Sequence, residues 1–90
     1  MNIEFRKKYE IVKSIIDNYG DETFTPSGLL LLSEKIGNKY DISFSIKEVL
    51  AVLANLYDSF EINREIAQDG TVSFRKSELY GIYEDKVSAR

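Results

Sequence analysis

The sequence predicts a small α+β domain, three helices followed by a β-hairpin, and three observations carry that expectation. Apolar residues recur at three- and four-residue steps in three separate stretches. Two of those stretches open on helix-start chemistry, Thr25-Pro26 and the Ser45-x-x-Glu48 spacing. Beyond them the period changes to alternation on both sides of Asp69-Gly70, a pair that tolerates the positive φ angles of a tight turn.

The first helix is expected over about residues 3–19. Phe5, Tyr9, Val12, Ile16 and Tyr19 step by four, three, four and three, Ile11 and Ile15 widen the face, and Gly20 suits a terminator. Arg6, Lys7 and Lys8 are adjacent and so point in different directions, a solvated face rather than a phosphate grip.

The second helix is expected over about 26–37. Thr25 caps it, and Pro26 sits where a missing amide costs nothing. Gly37 is the expected stop, with continuation to about Tyr40 as the alternative. Leu29, Leu30, Leu31 and Leu32 turn through roughly 300° at helical spacing, so one core cannot easily cover all four. From Asn38 to Phe44, Tyr40, Ile42 and Phe44 occupy every second position, the pattern of an extended link or of a short strand, which as a strand would pair with the hairpin.

The third helix is expected over about 46–58. Ile46, Val49, Leu50, Val52, Leu53, Leu56 and Tyr57 form its broad apolar stripe. The hairpin is expected over about 60–76: Phe60, Ile62 and Ile66 alternate with polar residues before the turn, and Val72 and Phe74 do so after it. Segment 77–90 is expected to fray in part; Leu79, Tyr80, Ile82 and Tyr83 suit a last strand or a short helix near the first helix.

Ninety residues make one domain, small for a core without staples. Cysteine and histidine are both absent, which removes disulfides, thiolate zinc sites and the usual general base at neutral pH. No Gly-x-Ser-x-Gly, Walker loop or dinucleotide fingerprint appears, and Asp69-Gly70 lacks the spaced acids of a calcium loop. The acid pairs Asp21-Glu22 and Glu84-Asp85 sit in polar segments where carboxylates are ordinarily solvated. The expectation is a protein without catalytic residues, cofactor, metal or small-molecule substrate. The start, Met1-Asn2-Ile3-Glu4, lacks the order of a secretory signal, and the longest apolar run, Leu29 to Leu32, is too short for a bilayer, so a cytoplasmic location is expected.

The order of elements and caps from Phe5 to Lys76 resembles the winged helix-turn-helix superfamily, although no signature residue accompanies it and the link from Gly37 to Ser45 is longer than the compact turn. That resemblance implies a third helix used for recognition, a hairpin used as a wing, and a DNA-binding transcriptional regulator. Its nucleic-acid contacts would be Lys47 and Asn55 on the helix with Arg64, Arg75 and Lys76 on the wing. A net charge of −3, with one cation on this helix, Lys47, against two acids, Glu48 and Asp58, makes a poor phosphate surface. Arg64 and Arg75 would clamp a backbone only from one side of the hairpin, and cross-strand pairing with Glu61, Glu65 or Asp69 is their ordinary alternative.

Protein contact is therefore the leading expectation, with a partner protein or a second copy in a homodimer. Six tyrosines and five phenylalanines are many for so short a chain. Leu29, Leu30, Leu31, Leu32, Tyr40, Tyr80 and Tyr83 are the candidate interface, with Tyr57 beside them. In composition the chain is similar to accessory proteins of phages and mobile elements, which implies modulation of a host factor.

Overall fold

A computed structural model of the chain describes residues 3–81. Its order is α1 (Ile3–Asp17), α2 (Pro26–Tyr40), α3 (Ile46–Asp58), β1 (Ile62–Ile66) and β2 (Val72–Lys76). This is the expected α+β arrangement of three helices followed by a two-stranded antiparallel hairpin. Tyr83 and residues 82–90 of the segment expected to fray lie outside the described residues.

Helix α1 places Val12, Ile15 and Ile16 in the core. It ends at Asp17, slightly earlier than expected, because the amides of Asn18 and Tyr19 turn onto the carbonyls three residues back, Ile15 and Ile16. Helix α2 starts as its sequence dictates, with Thr25 Oγ1 accepting from the Gly28 amide at 3.1 Å and Pro26 following the cap.

The end of α2 corrects the expected stop at Gly37. The helix runs to Tyr40, and Asp41 in the left-handed region (φ 58°) closes it. Gly37 serves an approach instead of a termination: a Cβ there would stand 2.2 Å from the Ile42 carbonyl oxygen and 3.0 Å from the Phe44 ring. The link from α2 to α3 folds back against this bare backbone. No strand forms between Asn38 and Phe44, because residues 38–40 complete the helix while Ile42 and Phe44 turn half-buried beside it.

Ser45 begins α3 with a reciprocal cap. Its hydroxyl accepts from the Glu48 amide at 3.3 Å, and Glu48 Oε1 accepts from the Ser45 amide at 2.9 Å. Val49, Val52, Leu53 and Leu56 are buried against α1, α2 and β1.

The hairpin pairs Ile62 with Lys76, Arg64 with Phe74, and Ile66 with Val72. Its loop is wider than a two-residue turn. The Gly70 amide donates to the Ala67 carbonyl, Gly70 takes φ 88°, and Asp69 Oδ1 accepts from the Thr71 amide. Ile62 and Phe74 face the core. The residue that pairs with the hairpin from outside is Phe24, not the segment before α3: Phe24 and Phe74 exchange two backbone hydrogen bonds of 2.8 Å each.

Candidate protein-contact surface

Helix α3 is apolar almost all round. Nine of its thirteen residues are apolar, yet only Val49, Val52, Leu53 and Leu56 are buried. Ile46, Leu50 and Tyr57 stay 40%, 45% and 38% exposed, and Ala51 and Ala54 are exposed as well. A helix of this kind ordinarily has cover on both sides. Among the described residues α3 has cover on one.

The turn after α3 adds an aromatic ring. The Phe60 amide donates to the Tyr57 carbonyl and the Glu61 amide to the Leu56 carbonyl, the paired bonds of a Schellman ending. The left-handed position of that motif favours glycine, but here it holds Phe60 at φ 64° with 70% of the residue exposed. The surroundings fix it there. Ser77 Oγ donates to the Phe60 carbonyl at 2.5 Å, while buried Glu61 accepts from Ser59 Oγ at 2.7 Å and from the Gly81 amide at 3.1 Å. Tyr57, Asp58, Phe60, Ile62, Asn63 and Arg64 line a shallow pocket of about 560 Å³ at this corner. At the hairpin tip the cross-strand pair Ile66 and Val72 is exposed too.

The five residues proposed for nucleic acid are not gathered into one surface. Lys47 and Asn55 are exposed on α3, and Asn55 turns its amide onto the Ala51 carbonyl. The register sets Arg64 opposite Phe74 and Arg75 opposite Asn63, so the two arginines project from opposite faces of the hairpin and the clamp does not form. Each hairpin cation has a partner inside the chain. Arg64 lies 5.4 Å over the Tyr57 ring, Arg75 pairs with Glu65 at 3.4 Å, and Lys76 reaches the Asp17 carbonyl and the Tyr80 ring.

The residues expected to meet protein fare unequally. Leu29 is fully buried and leaves the candidate interface, and Leu30 and Leu32 are half-buried against the core. Leu31 alone is exposed, at 58%, among the polar residues Ser27, Glu34, Lys35 and Asn38. Tyr40, 68% exposed, borders an open cleft of about 770 Å³ with Lys7, Lys8 and Asp41. Tyr80 faces inward, its hydroxyl donating to Asp17 Oδ1 at 2.5 Å and its ring lying under the ammonium groups of Lys13 and Lys76. Ile46, Leu50, Phe60, Ile66 and Val72 were not among the expected contacts. The signal for the first two was α3's surplus of apolar residues, which exceeds what one buried face uses.

Among the described residues no group of three or more acidic side chains is arranged to hold a metal ion, and no helix is long and apolar enough to cross a membrane. No protein-family model, curated protein or solved structure matches the chain.

Proposed function

We propose that the protein is a non-enzymatic regulatory module that acts in the cytoplasm by occupying another protein chain through α3 and the hairpin. The observation that carries this reading is Phe60. A large apolar side chain in a left-handed backbone position, exposed to water, costs stability twice, and such strain points to a contact made elsewhere. Tyr57 lines the same pocket as Phe60, and Ile66 and Val72 add exposed apolar area at the hairpin tip. The compositional likeness to phage accessory proteins suits a module that modulates a larger machine by contact.

The runner-up is a DNA-binding regulator related to the winged-helix superfamily. The order of elements favours it, as do Lys47 and Asn55 exposed on α3. The engaged hairpin cations weigh against it, as do Glu48 and Asp58, which set two acids on α3 against the single cation Lys47.

A photo-crosslinking amino acid placed at position 60 separates the two. In the native cell a discrete protein adduct is expected from that probe and none from the same probe at exposed Glu22. Absence of an adduct, together with salt-sensitive retardation of duplex DNA that disappears on replacing Lys47 and Asn55 by Ala, overturns the protein-contact reading.

A further inference from the structure

Lys47, Ala51, Ala54 and Asp58 follow one another at steps of four, three and four residues, which puts them on a single stripe of α3 directly opposite Val49, Val52, Leu53 and Leu56. The stripe has a symmetry of its own. Lys47 and Asp58 lie equally far from the midpoint of the two alanines, roughly 16 Å apart along the axis at 1.5 Å per residue. A second α3 laid antiparallel across the alanines therefore sets each Lys47 against the other copy's Asp58. Small side chains at the crossing let two helix backbones approach closely.

The charges stand in the wrong order for an isolated helix. Lys47 occupies the positive, N-terminal end of α3 and Asp58 the negative, C-terminal end, so each opposes the helix's own dipole. An antiparallel neighbour reverses that. Its C-terminal end lies beside Lys47 and its N-terminal end beside Asp58. Among the described residues neither side chain enters an ion pair within its own chain, and both are exposed.

The flanks agree with the ends. A two-fold axis perpendicular to α3 brings the apolar flank of one copy, Ile46, Leu50 and Tyr57, to the same side as that of the other. The start of one α3 then arrives where the other ends, at the pocket beside Asp58 walled by Tyr57 and Phe60. Ile46, 40% exposed, is the side chain delivered there.

From this combination we propose that a second copy of the chain covers α3, forming an isologous antiparallel dimer with Lys47 paired to Asp58 at both ends. The proposal rests on the reading of α3 as a protein-contact surface and names its occupant. A thirteen-residue helix and one shallow pocket make a small interface, so the dimer is reversible and its population rises with concentration.

Sedimentation velocity of the full chain over micromolar to near-millimolar concentrations is the test. The expected mass rises from 10.4 kDa toward twice that value. Lys47→Asp and Asp58→Lys, each of which suits the helix dipole and keeps the fold, are each expected to weaken the dimer roughly tenfold or more by setting like charges together. An equimolar mixture of the two single variants restores it, because every contact in the mixed dimer is again between opposite charges; the double variant restores it too. A monomer at all concentrations overturns the proposal, and so does a dimer indifferent to either reversal. If the chain is monomeric while the probe at position 60 captures a different protein, self-pairing alone fails. If no adduct forms either, the contact reading falls with it.

Discussion

Lys8 of α1 reaches across to Glu48 at the start of α3, Nζ to Oε2 at 2.5 Å, while the other oxygen of the same carboxylate accepts the Ser45 amide at 2.9 Å. One side chain thus completes a helix cap and fastens that helix to another forty residues away. The local cap and the tertiary packing are set by the same group.

The two roles separate by substitution. Glu48→Gln keeps a side chain able to close the capping box but removes the charge, and is expected to cost under about 1 kcal/mol. Glu48→Ala removes both and is expected to cost roughly 1–2 kcal/mol. Urea denaturation at neutral pH measures each, and equal losses for the two variants would assign the whole effect to the ion pair.

Acid exposes the charge directly. The Lys8 ammonium, helped by the Ser45 amide and hydroxyl, holds the Glu48 carboxyl below its ordinary value of 4.5. Because the folded value lies below the unfolded one, the stabilisation is complete above about that ordinary value and is lost as the pH falls through the folded value. The stability difference between the native chain and Glu48→Gln is therefore expected to shrink as the pH drops below 4.5. A difference that stays constant into acid would show that the pair contributes nothing.

Gly37→Ala tests the close approach at the end of α2. Ala is the better helix former by about 1 kcal/mol, but its methyl would meet the Ile42 carbonyl at 2.2 Å. The clash is with backbone and outweighs the propensity, so a net loss of roughly 1–3 kcal/mol is expected. Gly20→Ala, with nothing within 4 Å, is the control expected to be near neutral. Thermal unfolding followed by circular dichroism distinguishes them.

Phe60→Gly is expected to stabilise the monomer by roughly 0.5–1 kcal/mol, the relief of a left-handed non-glycine residue less the entropy that glycine adds to the unfolded chain. Contact with the partner protein is expected to weaken at the same time. A variant less stable than the native chain would mean that the exposed ring packs usefully within its own fold.

The elements were legible where their determinants are local. Thr25-Pro26, Ser45 with Glu48, and the alternation around Asp69-Gly70 each specify geometry within a few residues, and each appears where the pattern places it. Gly37 misled because a glycine after a leucine run looks like a stop, whereas its reason lies in a carbonyl from the following link. The alternation of Tyr40, Ile42 and Phe44 imitated a strand for the same cause: two of the three fold against α2. Phe24 offered no signal at all, since its hydrogen-bonding partner Phe74 is fifty residues away. For the candidate surface, the leucine run drew attention to α2, but helical geometry buries Leu29, half-buries Leu30 and Leu32, and leaves Leu31 by itself. The opposed directions of Arg64 and Arg75 depended on a register that only the five-residue loop fixes.

The exchange of hydrogen bonds between Phe24 and Phe74 also bears on how the molecule avoids its own copies in the wrong arrangement. A two-stranded hairpin presents two open edges, each a template for uncontrolled strand addition. At the centre of β2 the outward amide and carbonyl of Phe74 are already taken by Phe24. The remaining edge belongs to β1, whose middle residues are Asn63, Arg64 and Glu65, polar and charged side chains that discourage an incoming strand. A chain with so much exposed apolar surface on its third helix is thereby steered away from edge-to-edge fibres, and its associations are confined to side-chain faces that can be made specific.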